Sequence, residues 1–226
     1  MPNLSRRLAA ECLGTALLLT AVIGSGIMAQ RLCGGSDGLA LLANSLATGG
    51  ALFILITSFG AISGAHFNPA VTLAMAVQKH ISWKHAGLYI VAQQLGALLG
   101  VALANVMFDL PFLFESHHAR HGVGQLLGEM VATFGLLTVI FALQHHALVT
   151  VAAAVSCYIF SAYWFTSSTS FANPAATLAR AFTDTAGGIA AADVGGFVAA
   201  QLVGVAVALP VCSWLFAAKA EGETIL

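Results

Sequence analysis

Five stretches of this chain contain no aspartate, glutamate, lysine or arginine: Cys12 to Gln30, Gly38 to Gln78, His85 to Phe108, Met130 to Ala179 and Val194 to Ala218. They run 19, 41, 24, 50 and 25 residues. A helix that crosses a bilayer needs roughly 20 predominantly apolar residues. The chain is therefore read as a multispanning, all-α membrane protein. Charged residues make up 8% of it, against about 25% in a soluble domain, which excludes a soluble enzyme. A membrane β-barrel is excluded too, because its strands alternate apolar and polar residues over about 10 positions. The formal net charge of −1 gives no basis for a nucleic-acid or polybasic-lipid partner.

Six spans fit the apolar pattern, at about 8–30, 40–60, 84–107, 123–143, 148–167 and 190–215. Arg6 and Arg7 precede the first run as in a signal peptide, but the run is long and lacks a clear cleavage site, so it is read as a retained span. Two charge-free stretches exceed what their spans need. Both surpluses hold the same tripeptide, Asn68-Pro69-Ala70 and Asn173-Pro174-Ala175. The flanking sequence repeats as well. Glu11-Cys-Leu-Gly14-Thr15 resembles Glu129-Met-Val-Ala-Thr133, and Tyr89-Ile-Val-Ala92-Gln93 aligns with Phe197-Val-Ala-Ala200-Gln201. One repeat occupies 1–110 and the other 120–220 of a single domain, 1–226. Three spans is an odd number, so the halves lie in opposite senses in the membrane. Such inverted repeats place their site near the midplane between the halves. With the N-terminus inside, Arg6, Arg7, Lys79, Lys84 and Lys219 face the cytoplasm and Arg31, Arg120 and Arg180 face outward. This excess favours both termini inside.

Each tripeptide reads as a helix start. Asparagine is a preferred N-cap, and proline suits the first helical position, where its missing N–H is harmless. The expected half-helices run from Asn68 to Lys79 and from Asn173 to Asp184. At about 1.5 Å per residue each covers half of a ~30 Å hydrocarbon core. Entering from opposite faces, they would meet tip to tip. Each N-terminus carries about half a positive charge, so the meeting point repels cations, hydronium included. The Asn68 and Asn173 amides can donate to a passing oxygen. Irregular backbone at that depth is tolerated where it lines a water-filled path. The polar approaches Ser63-Gly-Ala-His66 and Ser167-Ser-Thr-Ser170 suit such a path.

With these motifs the whole chain resembles the aquaporin and aquaglyceroporin (major intrinsic protein) family. Ser63-Gly-Ala-His66-Phe-Asn-Pro-Ala-Val-Thr72 is nearly the family's first-loop pattern. The resemblance implies six transmembrane helices plus two re-entrant half-helices, an inverted three-plus-three repeat and a homotetramer with one pore per subunit. It implies location in the inner (plasma) membrane and no cofactor or metal. Glu11 and Glu129 match the carboxylates that hold the loop backbones, and His66 matches a pore-lining position. The family's second motif usually continues with an arginine that narrows the outer filter. Here Ala176 stands in its place. Carried over by spacing, the other filter positions fall on Thr48, Ser161 and Ser170. The Ser161 assignment assumes no insertion after span five. Four small residues imply a wide, arginine-free filter suited to solutes with several hydroxyls. In this respect the chain looks most like bacterial members associated with arsenic resistance, which pass arsenite or methylated arsenicals beside glycerol-sized polyols. Partners are then small neutral solutes and the bilayer.

Arg180 lies four residues beyond Ala176, one turn nearer the outside. It either restores positive charge to the outer vestibule, or snorkels to headgroups or pairs with Asp184 at i+4. His117, His118 and His121 near Glu115 form a loop cluster in which a metal or pH-sensing site competes with a plain solvated loop. His145-His146 fall in the cytoplasmic turn between spans four and five, where a pH gate competes with a plain polar turn. Gly96-x-x-x-Gly100, Gly195, Gly196 and Gly204 suit close helix crossings. The four scattered cysteines read as small buried hydrophobes. A tight water-selective channel, or a general glycerol channel with no metalloid role, is the alternative function. An ion-coupled transporter would need a charged midplane relay beyond Glu11 and Glu129.

Overall fold

The computed structural model describes residues 2–217; Lys219, counted above for orientation, lies outside the described residues. The elements are α1 (Leu4–Leu32), α2 (Asp37–Ser63), α3 (Pro69–Val77), α4 (Trp83–Met107), α5 (Val123–Leu143), α6 (Leu148–Phe165), α7 (Pro174–Ala179) and α8 (Ala191–Leu215). A 3₁₀ turn, Arg180–Phe182, extends α7. Six of the helices are long and apolar enough to cross a membrane. The other two, α3 and α7, are the half-helices. Their starts form as the tripeptides dictate. Asn68 accepts from the Ala70 N–H, and Asn173 accepts from those of Ala175 and Ala176.

The half-helices are shorter than expected, nine and six residues. The second stops early where the 3₁₀ turn that follows it gives its carbonyls to other segments. Arg180 O accepts from Ile189 N, Ala181 O from Ser116 N, and Phe182 O from Phe114 N. Carbonyls committed to distant donors are turned away from the i+4 amides that would continue the helix.

α1 packs along α2 and α4, and α5 packs along α6 and α8 in the equivalent arrangement; α2 and α6 join the halves. Glycine lets the backbones touch at equivalent points. A Cβ on Gly96 would lie 2.2 Å from Cys12 O, and one on Gly204 would lie 2.7 Å from Met130 O. Gly96 stands three residues after Gln93, as Gly204 does after Gln201. Gly100 is as tight, 2.2 Å from Ala16 O. Gly196 would meet Leu126 at 3.2 Å. Gly195 differs from expectation: nothing lies within 4 Å of its Cβ position, so it makes no close crossing within the subunit. Gly14 leaves room for the Phe67 ring, 2.1 Å from where its Cβ would be. The second repeat uses Ala132 and Ala172 at the same two points, exchanging a glycine and a phenylalanine for two alanines.

Gly96→Val is therefore expected to destabilise the bundle by at least the upper end of the roughly 1–3 kcal/mol typical of overpacking. Gly195→Ala should stay within about 0.5 kcal/mol of wild type. Thermal unfolding of detergent-purified protein compares the two.

Candidate functional site

The site begins with two carboxylates that have no solvent exposure, Glu11 on α1 and Glu129 on α5. Glu11 accepts from Ser63 Oγ (2.6 Å), His66 N (3.0 Å), Phe67 N (2.7 Å) and Gln93 Nε2 (2.8 Å). Glu129 accepts from Phe171 N (2.8 Å), Ala172 N (2.8 Å) and Gln201 Nε2 (2.6 Å). Gln93 and Gln201 each also donate to a half-helix threonine, Thr72 and Thr177. These bonds hold the loops in conformations that side chains otherwise avoid. Ala65, Phe67, Ser170 and Ala172 all have φ between 45° and 51°. Such left-handed geometry costs on the order of 1 kcal/mol or more per non-glycine residue, and the charge-assisted bonds offset it.

The two half-helices meet and latch. Asn68 Nδ2 donates to Ala172 O at 2.7 Å, and Asn173 Nδ2 donates to Phe67 O at 2.9 Å. An amide carries two hydrogens, so each asparagine keeps one for a solute. Both asparagines border a cavity of about 480 Å³ that runs from His80 and His145 at the face bearing the termini to Thr48, Tyr163 and Arg180 toward the opposite face. One side of it is apolar, formed by residues such as Leu52, Ile56, Leu136 and Val155. The other carries the loops. The carbonyls of Gly64, Ala65, His66, Thr169, Ser170 and Phe171 accept no hydrogen bond among the described residues. Buried carbonyls need partners, and these are left for solute or water hydroxyls. His66 lines the same path, its Nδ1 3.0 Å from Thr72 Oγ1.

Toward the far mouth, Thr48, Ser170 and Ala176 line the cavity as carried over. Ser161 does not. It is exposed on the outer side of α6 and donates to Cys157 O. The α6 residues that face the cavity are Leu148, Val151, Val155, Ile159 and Tyr163. That stripe has helical spacing, and Ser161 sits two residues, about 200°, away from it. Tyr163 takes the position instead, its hydroxyl 3.3 Å from Thr48 Oγ1. The stripe was readable from periodicity; spacing from the motif, which presumes a fixed loop length, pointed elsewhere.

Position 176 is alanine, but the Arg180 guanidinium borders the cavity and is 4% exposed. It neither snorkels nor pairs with Asp184. Its Nε donates to Gly187 O, and its guanidinium carbon lies 3.3 Å from the centroid of the Phe171 ring. Arg120, expected as a cation of the outer loop, is also buried. It donates from Nε to Gly188 O (2.7 Å) and from Nη2 to Ala186 O (2.8 Å). A third bond reaches Ser168 O from Nη1. Arg120 thus ties the inter-repeat loop to the strap after α7. No sequence signal separates such an arginine from a surface one, because its acceptors are carbonyls.

The loop histidines form no metal cluster among the described residues. His117 and His121 face Asp184 (3.3 Å) and Asp193 (3.7 Å) at the surface. Of the cysteines, Cys212 is buried, Cys12 and Cys33 are half-buried, and Cys157 is exposed.

Two facing half-helices inside an inverted three-plus-three bundle, with one cavity passing both tips, define a membrane channel of the aquaporin type. The chain belongs to the Major intrinsic protein family, which matches residues 1–147. It is 50% identical over 213 residues to Aquaglyceroporin AqpS of Rhizobium meliloti (strain 1021), covering 94% of this chain and 91% of that protein. It is 36% identical over 145 residues to Aquaporin NIP6-1 of Arabidopsis thaliana, covering 62% of this chain and 46% of that protein. The X-ray structure of the aquaglyceroporin from Plasmodium falciparum shares the fold, with a TM-score of 0.73 at 21% identity over 94% of this chain and 95% of that one. The protein is a passive multi-pass membrane channel for small solutes, not an enzyme.

Glu129→Gln replaces a double acceptor for loop amides with a group that presents a donor. It should cost about 3 kcal/mol of stability, read as a lowered thermal midpoint together with reduced solute flux. At the surface, the His117 backbone N–H, 2.9 Å from Asp184 Oδ1, holds that carboxyl below its ordinary value. A lowered folded-state pKa means the contact contributes above the unfolded value and is lost only as pH falls through the folded one. A carbon-13 NMR titration should place the Asp184 midpoint below that of a free aspartate; a midpoint at or above it refutes the contact.

Proposed function

We propose that the channel conducts small uncharged solutes with several hydroxyls: glycerol-sized polyols and the undissociated hydroxides of arsenic, arsenite and its methylated forms. The observation that carries this reading is alanine at position 176, which lines the same cavity as Thr48 and Ser170. A solute that leaves water must replace its hydrogen bonds. The unpaired loop carbonyls accept from its hydroxyls while Asn68 and Asn173 donate to its oxygens. Pro69 and Pro174 start the half-helices, and Ala70 and Ala175 supply first-turn amides to the asparagine caps. The positive helix tips at the centre oppose protons and other cations.

The unit is a homotetramer in the inner (plasma) membrane with both termini in the cytoplasm. The burial of Arg120 and Arg180 supports this orientation. They no longer count as loop cations, which leaves Arg31 on the far side against Arg6, Arg7, Lys79 and Lys84.

Stopped-flow light scattering on proteoliposomes tests the reading. Glycerol and arsenite uptake should not saturate, and it should need neither a sodium nor a pH gradient. Ala176→Arg should lower both fluxes several-fold while water permeability persists. Permeability to water alone overturns the proposal, as does a requirement for an ion gradient. Glycerol uptake without arsenite uptake removes the metalloid role.

A further inference from the structure

Arg180 has more donors than the protein satisfies. Its Nε is bonded to Gly187 O, but neither terminal nitrogen has an acceptor among the described residues. No carboxylate forms an ion pair with it among the described residues, and the buried Glu129 attracts it only through space. Asp184, the carboxylate one turn away, is held by His117. On the same cavity, Ser170 is 3% exposed and its hydroxyl also lacks a partner. Ser170 Oγ is fully buried, whereas the Arg180 terminal nitrogens are not and open on the lumen; a charged donor left without a partner is costly. A lumen-facing guanidinium therefore needs an acceptor from within the lumen. Arg120 fixes its aim by holding Ala186 O and Gly188 O, on either side of the carbonyl that receives the Arg180 Nε.

We infer that Arg180 is a specificity-determining residue of this channel, supplying from beyond the half-helix the guanidinium that position 176 lacks. The inference rests on the solute-channel reading above. The Arg180 terminal N–H groups donate to an acceptor oxygen of the solute, and the Ser170 hydroxyl pairs with a neighbouring solute hydroxyl. The class admitted is small, neutral and hydroxylated, with an exposed acceptor oxygen. Compact cations are refused by the fixed charge. The planar fork and the charge have separable effects, because lysine keeps only the second.

The test uses the full chain in proteoliposomes as wild type, Arg180→Gln and Arg180→Lys, each checked for assembly by gel filtration. Glutamine keeps a polar chain in reach of Gly187 O and removes the charge. Uptake of methylammonium and proton flux into a trapped pH dye report charge exclusion, and glycerol uptake reports conduction. Arg180→Gln should raise methylammonium uptake about tenfold, because a like charge no longer repels the cation in the lumen. Arg180→Lys should restore exclusion while conducting glycerol more slowly than wild type. Methylammonium exclusion equal in all three proteins overturns the inference, and so does equal leakage through the lysine and glutamine variants. Wild-type vesicles that take up glycerol no faster than protein-free ones overturn the channel reading itself.

Discussion

A peptide amide left unpaired inside a bilayer costs several kcal/mol, and the pore exists because two glutamates remove that cost. Glu11 and Glu129 accept the amides of the residues that lead into each half-helix. The chain can then leave helical geometry at mid-depth, adopt left-handed residues in succession and turn back as a short helix. Without the carboxylates those residues would lose both their bonds and the reason for their strain. The asparagine caps, the facing helix tips and the row of free carbonyls all follow from loops held in this way. The glutamates are costly to bury, and their full complement of donors explains why they are tolerated.

The two repeats obey the same rules but not to the same degree. Glu11 receives four hydrogen bonds and Glu129 three. The first half-helix runs nine residues and the second only six before a 3₁₀ turn. The difference is concentrated at the mouth opposite the termini. There the inter-repeat loop takes the carbonyls of Ala181 and Phe182, while Arg120 pins the strap that follows. One mouth is thus built from local helix ends, the other from contacts between segments far apart in sequence.

This division explains what could be read in the sequence. The spans, the half-helices and the buried glutamates carry local signals: apolar length, a capping dipeptide, a carboxylate inside an apolar run. The span boundaries match the helices to within a few residues, α5 at both ends. Gly96 and Gly204 read as packing glycines, though their equivalence shows only against the backbones they touch. Legibility fails where long-range contacts decide. Ser161 was placed by a spacing that assumed a loop length, whereas helical phase puts Tyr163 on the cavity. The sequence leaves Arg180 open between a vestibule charge and an interfacial cation, because its burial depends on Gly187 and Phe171, which fold back on it. The early end of α7 is hidden for the same reason, since the carbonyls of the turn after it are claimed by distant donors.

The crossed bonds between the asparagines and the opposite loops have one further consequence. Asn68 to Ala172 O and Asn173 to Phe67 O are the same contact viewed from opposite ends of the pore. At its midpoint the channel therefore has no preferred sense of travel, and it is braced against separation of its halves. Rectification and opening or closing have to be imposed at the mouths, which are chemically unlike. His80, Gln144 and His145 border one, and Tyr163 and Arg180 border the other.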